Sequence, residues 1–525
     1  IRLSLVGSEM CIRDRFDAAN PLTGAVERLR FGSEGYTTRP DDDLPNTHFE
    51  NRVVDPGNFE RTVFSDGRTS GASTVGAGVI ELVIADGELD FLVEMAVDGR
   101  SVIIWSLENL YSPWSSRTLI LRGTLARIDF GWRKASLIIR DRLAELAENM
   151  TAPLYKGTTV SGGMNEAEGT PDDLKDRRKP ALWGRALNLS PVLANRFDLI
   201  WQISDKPLRS IETVRDKGVP LTFHEDYPSL TALRTATIPA GRFGTALALG
   251  LMRTPVTPAG DITVDATEGV DGQRSAARTV RRILLDNGFE AGTDFLDSDI
   301  EALHAANPAE IGIWTGGEEM TVLSVVTGIL DSVGAYLCPD RLGQFRIRRL
   351  EMPTSAGQTI ERHLILDSGE GIERLSSGEE NEGIPSHKIT VHYRRNLTIQ
   401  NRSALDSTAA TEEFKTFAVE EWRSAVAENA AVKTLHPLSK DIEFETLLLN
   451  EADATAEAAR RLDLYGKRRE RFRVAIKSEF AALFDLGDTL TLVLRRFGMQ
   501  GGKNFVVVGI TEELAQGRTE LTIFG

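Results

Sequence analysis

Cysteine and histidine are scarce: the 525 residues include 2 cysteines and 7 histidines. Two thiols, Cys11 and Cys338, cannot build a disulfide framework or a cysteine-based zinc site. The histidines (His48, His224, His304, His363, His387, His392 and His436) contain no HExxH spacing. His387 and His392 stand five apart in a strand-like segment, which sends them to opposite faces and denies them a shared metal. Basic excess is missing too, with 61 Lys+Arg against 77 Asp+Glu and a net charge of −16. Such a chain is not built to hold duplex DNA by neutralising phosphates, nor to anchor on a membrane through a basic patch. No apolar run has the length of a membrane span; the nearest, Val322 to Cys338, is broken by Asp331, Ser332 and Gly334.

Signatures of chemistry are equally sparse. Gly76-Ala77-Gly78 fails as a dinucleotide loop, because Glu81 and a strand pattern follow where a third glycine and a helix belong. Neither GxxxxGK[ST] nor GxSxG occurs. Asp41-Asp42-Asp43 lacks the alternating spacing of a calcium loop and reads as a polar turn into Leu44-Pro45. Glu379-Glu380 and Glu420-Glu421 read as solvated faces. Cys338, in an apolar strand before Pro339, reads as a buried structural thiol. The expectation is a non-enzyme with no catalytic, cofactor-binding or metal-binding residues and no cofactor.

What is present is a globular composition, 41% hydrophobic and 26% charged, long enough for about three to four domains. Residues 1–15 stand apart. The stretch from Leu5 to Asp14, LVGSEMCIRD, is similar to the translation of a transposon adapter used in sequencing libraries. It is too short in apolar residues for a signal peptide. The expectation is that 1–15 are foreign to the fold, that Cys11 is not native and that the true N-terminus is missing. The segment carries Arg2, Arg13, Arg15, Glu9 and Asp14, a net +1, so the rest of the chain is −17.

Short β-branched runs at 78–85, 101–105, 119–125 and 135–140 predict strands, with Asp86-Gly87 and Asp98-Gly99 as turns. Asp141 opens a short helix. Residues 151–180 read as a long loop. Strands are expected at 181–187, 199–203 and 245–252. Ser275 to Asp286 is an amphipathic helix stopped at Asn287-Gly288. Ser298 to Glu301 has capping-box spacing for the next helix. Glu318 to Val333 carries Leu323, Val326, Ile329 and Leu330 at helical spacing. A hairpin, 335–338 and 344–350, closes this module, and Val280, Ile283, Leu323, Val326 and Leu330 are expected to form the core beneath it. A strand at 388–393, a helix from Asn450 to Tyr465 and four late strands complete the chain, with Gly509 at a bulge. The fold class is multi-domain and mainly β with α+β parts: small β-barrel or sandwich domains plus a helix–hairpin module. The expected divisions are 1–15 (adapter-like), 16–150 (N-terminal β domain), 151–270 (second β-rich domain with a long loop), 271–352 (helical module ending in a hairpin) and 353–525 (C-terminal β-rich domain with one helix).

Four blocks taken in order resemble the phage tail baseplate hub or tip-attachment (protein J-like) family. The first is GYTTRPDDDLPNTHFENRVVDPGNFERTVF with GAGVIELVIADGELDFLVEMAVDGRSV, and the second is GTPDDLKDRRKPALWGRALNLSP. The third is VGAYLCPDRLGQFRIRRLEMP. The last runs from YGKRRERFRV through LGDTLTLVLRRFG to FVVVGITEELAQGRTELTIFG. The resemblance implies a structural tail-tip protein joining tube to tip, in the virion after assembly in the host cytoplasm. It implies self-association as a homotrimer, contacts with tube, tape-measure and tip-fibre proteins, DNA only in transit through a lumen, and no stable membrane insertion. It carries over no catalytic residue. The family opens with a strand where the adapter-like segment stands, so the partner of Val26 to Phe31 is open. A receptor-binding adhesin is the alternative, and a cell-wall hydrolase a more distant one.

Overall fold

The computed structural model describes residues 11–64, 73–76, 78–160, 166–353, 357–366, 371–375 and 383–525. The protein is mainly β, with several sheets and separate cores. Ala77 and the pair Glu379-Glu380 lie outside the described residues.

A nine-stranded sheet opens the chain, in the order Tyr36–Thr37, His48–Asn51, Val26–Gly32, Cys11–Ala19, Ser101–Leu107, Thr118–Phe130, Lys134–Arg140, Val79–Val83, Val53–Asp55. Strand alternation turns Ile12, Phe16, Phe31, Val102, Ile104, Leu125, Leu137 and Leu82 onto one face, where they form a single core. The edge strands are two and three residues long, which leaves little free ladder for unwanted pairing.

Of residues 1–15, expected to be foreign to the fold, the described ones, 11–15, belong to a strand of this sheet. Cys11–Ala19 lies in its interior, antiparallel to Val26–Gly32 on one side and to Ser101–Leu107 on the other. Ile12, Phe16 and Ala18 supply an apolar face, and two neighbouring strands need a partner for their backbone groups.

Two five-stranded sheets follow, packed through Leu182, Leu189, Val214, Phe243, Met252 and Val264. The single strand expected at 245–252 is two. Arg242–Ala246 ends in a 3-10 turn, and Leu251–Arg253 returns antiparallel to it. Gly250 makes the reversal at φ 64°. A β-carbon there would stand 2.0 Å from the Ser204 carbonyl oxygen, so only glycine fits.

The helix–hairpin module holds Ala276–Asp286, Asp297–Ala306, Val322–Asp331 and the paired strands Ala335–Pro339 and Phe345–Arg349. Val280, Ile283, Val326 and Leu330 are buried in one core with Leu337, Phe345 and Ile347. Leu323 is only half-buried against it, and Val322 and Val325 take the inward positions. That helix starts later than expected, because Thr321 caps it by accepting from the Ser324 amide at 3.1 Å. The capping box at Ser298 does not form: Ser298 lies inside Asp297–Ala306, whose flanking Leu296 has no capping side chain. Asp299 instead binds Arg346 of the hairpin, at 2.7 Å.

The chain closes with an eight-stranded sheet and a three-stranded one against helix Glu451–Tyr465. Gly509 sits at a register shift between the last two long strands, as expected for a bulge. Asn58–Thr62 comes from the N-terminal part of the chain and pairs antiparallel with Lys503–Glu513. One sheet thus unites segments more than 400 residues apart.

Candidate functional site: a buried charged junction

Where the early strand Asn58–Thr62 enters the C-terminal sheet, charge is buried. Arg61 is 2% exposed and Glu512 is 1% exposed. Arg61 donates to Asp485 at 2.9 Å. Arg341, from the hairpin turn of the helical module, approaches Asp485 at 3.8 Å and Glu512 at 3.7 Å. It also donates to the carbonyls of Ala481 and Phe484, each at 2.9 Å. Burial alone would raise the Asp485 carboxyl, but Arg61 and Arg341 hold it below the usual range. Glu512 is pushed up by burial, which those two arginines only partly offset. Burial, with Asp485 nearby, pushes the Cys338 thiol up to about 12. That keeps the thiol protonated at neutral pH. Three parts of the chain therefore meet in one low-dielectric charged network.

A second network lies where helix Glu451–Tyr465 meets the hairpin. Glu457 is 2% exposed. It accepts from Arg349, Arg460 and Arg461, each at 2.7 Å. Burial opposes its charge, yet these arginines hold its carboxyl down at about 2.

The histidines that drew attention in the sequence do not converge on a metal, and no group of three ligating side chains does so among the described residues. His392 contacts Ser424 at 3.0 Å through Nδ1 and Glu443 at 3.2 Å through Nε2. His387 contacts Ser439 at 3.1 Å and Asp441 at 3.2 Å. Each set resembles a serine–histidine–acid relay by residue type. Geometrically, the His392 set is a cross-strand ladder on the face of a three-stranded sheet. Ser439 spends its hydroxyl proton on the Pro385 carbonyl, at 2.7 Å. Asp43 pairs with Arg117 at 2.8 Å, and Glu420 and Glu421 pair with Arg423 and Arg395, each at 2.9 Å. The charged junctions were not legible in the sequence, because their members are hundreds of residues apart.

No family model matches the chain, and no curated protein matches it in sequence. Solved structures similar to it include a tail protein from Neisseria meningitidis MC58, at 9% identity and a TM-score of 0.39, covering 98% of this chain and 96% of that one. A 43 kDa tail protein of prophage MuSo2 from Shewanella oneidensis matches at 8% identity and a TM-score of 0.41, covering 98% and 96%. Prophage tail protein gp18 from Listeria monocytogenes EGD-e matches at 7% identity and a TM-score of 0.37, covering 99% and 94%. At such identities and TM-scores, these likenesses assign neither a family nor a function to this chain.

Proposed function

We propose that the protein is a structural component of a phage or phage-like tail tip, acting as a baseplate hub between tail tube and tip. The observation that carries this reading is the resemblance of four blocks, in order, to that family across nearly the whole chain from residue 16. The architecture fits the task. Strand Asn58–Thr62 is stitched into the C-terminal sheet, and the Arg61–Asp485–Glu512–Arg341 network ties the helical module to the same place. A pull on one part is thereby shared with the others. In this reading three copies surround an axial channel, and DNA passes through without being held. Among the described residues no helix is long and apolar enough to cross a membrane.

Imaging purified particles that contain this protein tests the reading. The expected result is three copies on the tail axis between tube and tip. A single off-axis copy on a fibre would replace the hub with the adhesin alternative. Absence from the particles would remove the tail reading altogether.

A further inference from the structure

The outer face of the nine-stranded sheet concentrates positive charge on an acidic chain. Register lines up a row across four strands: Arg30 lies opposite Arg15, Arg15 opposite Ile103, and Ile103 opposite Arg122. At about 4.8 Å per strand the row is about 14 Å long. Like charges directly opposite one another destabilise a sheet. Arg15 records the strain. Burial lowers its basicity, Asp17 opposes that, and Arg28, Arg30 and Arg122 lower it further. Arg28 has Asp17 at 3.5 Å, but among the described residues no ion pair involves Arg15, Arg30 or Arg122. The Nε groups of Arg15 and Arg30 are buried without an acceptor among the described residues.

Beside this row opens a pocket of about 280 Å³. Its floor is two cross-strand pairs, Leu119 with Trp105 and Arg122 with Ile103. Its far wall is Thr293, Leu342 and Gln344, from loops of the helical module. The Arg15 guanidinium lies 5.9 Å from the Trp105 ring centroid, so the charged row and the pocket meet at that indole.

We propose that this face docks an acidic, extended segment of a partner protein. One apolar side chain of that segment sits in the pocket between Trp105, Leu119 and Leu342, and its carboxylates lie on Arg30, Arg15 and Arg122. Charge complementarity selects the occupant. Guanidinium forks pair with carboxylates in two-pronged geometry, and the pocket takes a single apolar side chain. A nucleic acid would meet the repulsion of a chain at −16 over its whole approach, whereas a short segment with a few carboxylates meets mainly the local patch. The inference is independent of the tail reading. Its central arginine, Arg15, lies in the adapter-like segment, so the inference concerns the chain as given.

Fluorescence anisotropy on the full chain tests it with three labelled probes. One is a peptide of Glu and Asp around a central Leu, the second has Gly in that place, and the third is an oligothymidylate. The Leu peptide is expected to bind and to weaken roughly tenfold between about 50 and about 500 mM salt. The Gly peptide is expected to bind roughly fivefold more weakly. Arg122→Glu, at an exposed position, and the double variant Arg30→Glu/Arg122→Glu are expected to abolish binding with the circular dichroism unchanged, while Lys467→Glu leaves it intact. Failure of the Leu peptide to bind at either salt overturns the proposal. So does binding that survives Arg122→Glu, or an oligothymidylate that binds more tightly than the Leu peptide.

Discussion

Asp14 and Glu457 are both carboxylates within 2% of full burial, and their surroundings treat them in opposite ways. Glu457 on helix Glu451–Tyr465 is met by three arginines, and its carboxyl is held at about 2. Asp14 faces the core of the nine-stranded sheet, in register with Phe31 and Ile104. Neither of its oxygens finds a hydrogen-bond donor among the described residues. Burial pushes its carboxyl up to about 8, with only Arg13 opposing. Burial of a charge is tolerated where partners converge and is penalised where they do not. The same contrast separates the two regions: one carries charges placed by the fold, the other a strand whose alternation puts an acid where an apolar residue belongs.

Removing residues 1–15 tests the weaker region hardest. The cut takes Ile12 from the core and half of a strand from between two neighbours. A loss of about 5 kcal/mol is expected from the lost burial and ladder bonds, read as a lower and broader first transition in calorimetry. An unchanged melting temperature would mean the segment is dispensable despite its position. In the stronger region, Glu457→Gln takes the carboxylate from Arg349, Arg460 and Arg461, leaving Arg349 only the more distant Glu351 at 3.7 Å. The expected loss is roughly 3–5 kcal/mol in denaturant unfolding at pH 7. The sign also follows from the lowered carboxyl. The wild-type contribution is complete above the unfolded value near 4.5 and fades as pH falls toward 2, so variant and wild type should converge in acid.

Much of the fold was legible because its signals are local. The stripe Ala276, Val280, Ile283 and Leu284 marks a helix, Asn287-Gly288 its end, and the alternation of 388–393 a strand. The errors share a cause in tertiary packing. Leu323 has helical spacing, but the helix is rotated so that Val322 and Val325 point inward. Residues 245–252 are apolar enough for one strand, yet Gly250 must reverse the chain against Ser204. Ser298 has the spacing of a cap, but Asp299 is drawn to Arg346 and the helix begins two residues earlier. The candidate site was illegible for a related reason. Arg61 and Asp485 are 424 residues apart, and no spacing rule connects them. Position 14 was missed because a resemblance to foreign sequence says nothing about where that sequence settles.

Asp14→Val sharpens the comparison from the other side, since here a substitution should stabilise. The folded-state carboxyl lies near 8 and the unfolded one near 4, so the native state prefers the neutral acid. The penalty is absent at about pH 4 and grows with pH until about 8, by roughly 1.4 kcal/mol per unit at most. The variant should gain on the order of 3 kcal/mol at pH 7 and little at pH 4, measured by denaturant midpoints across that range. A gain that does not vary with pH would place a donor beside Asp14 and dissolve the contrast with Glu457.

The smallest effect asks whether the arginines around Glu457 act as a group or singly. Arg349 does three things at once. It donates to Glu457 at 2.7 Å, to the Val333 carbonyl at 2.9 Å and to the Ala306 carbonyl at 3.2 Å. Lysine keeps the charge but cannot place donors in all three directions. Because Arg460 and Arg461 remain on Glu457, Arg349→Lys should leave the carboxylate ionised and lose only the carbonyl contacts. The expected cost is about 1–2 kcal/mol, well short of Glu457→Gln. Double-mutant cycles separate the two accounts. A cost for Arg349→Lys as large as that of Glu457→Gln would show that Arg349 alone answers the buried charge, and that one missing partner is all that divides Glu457 from Asp14.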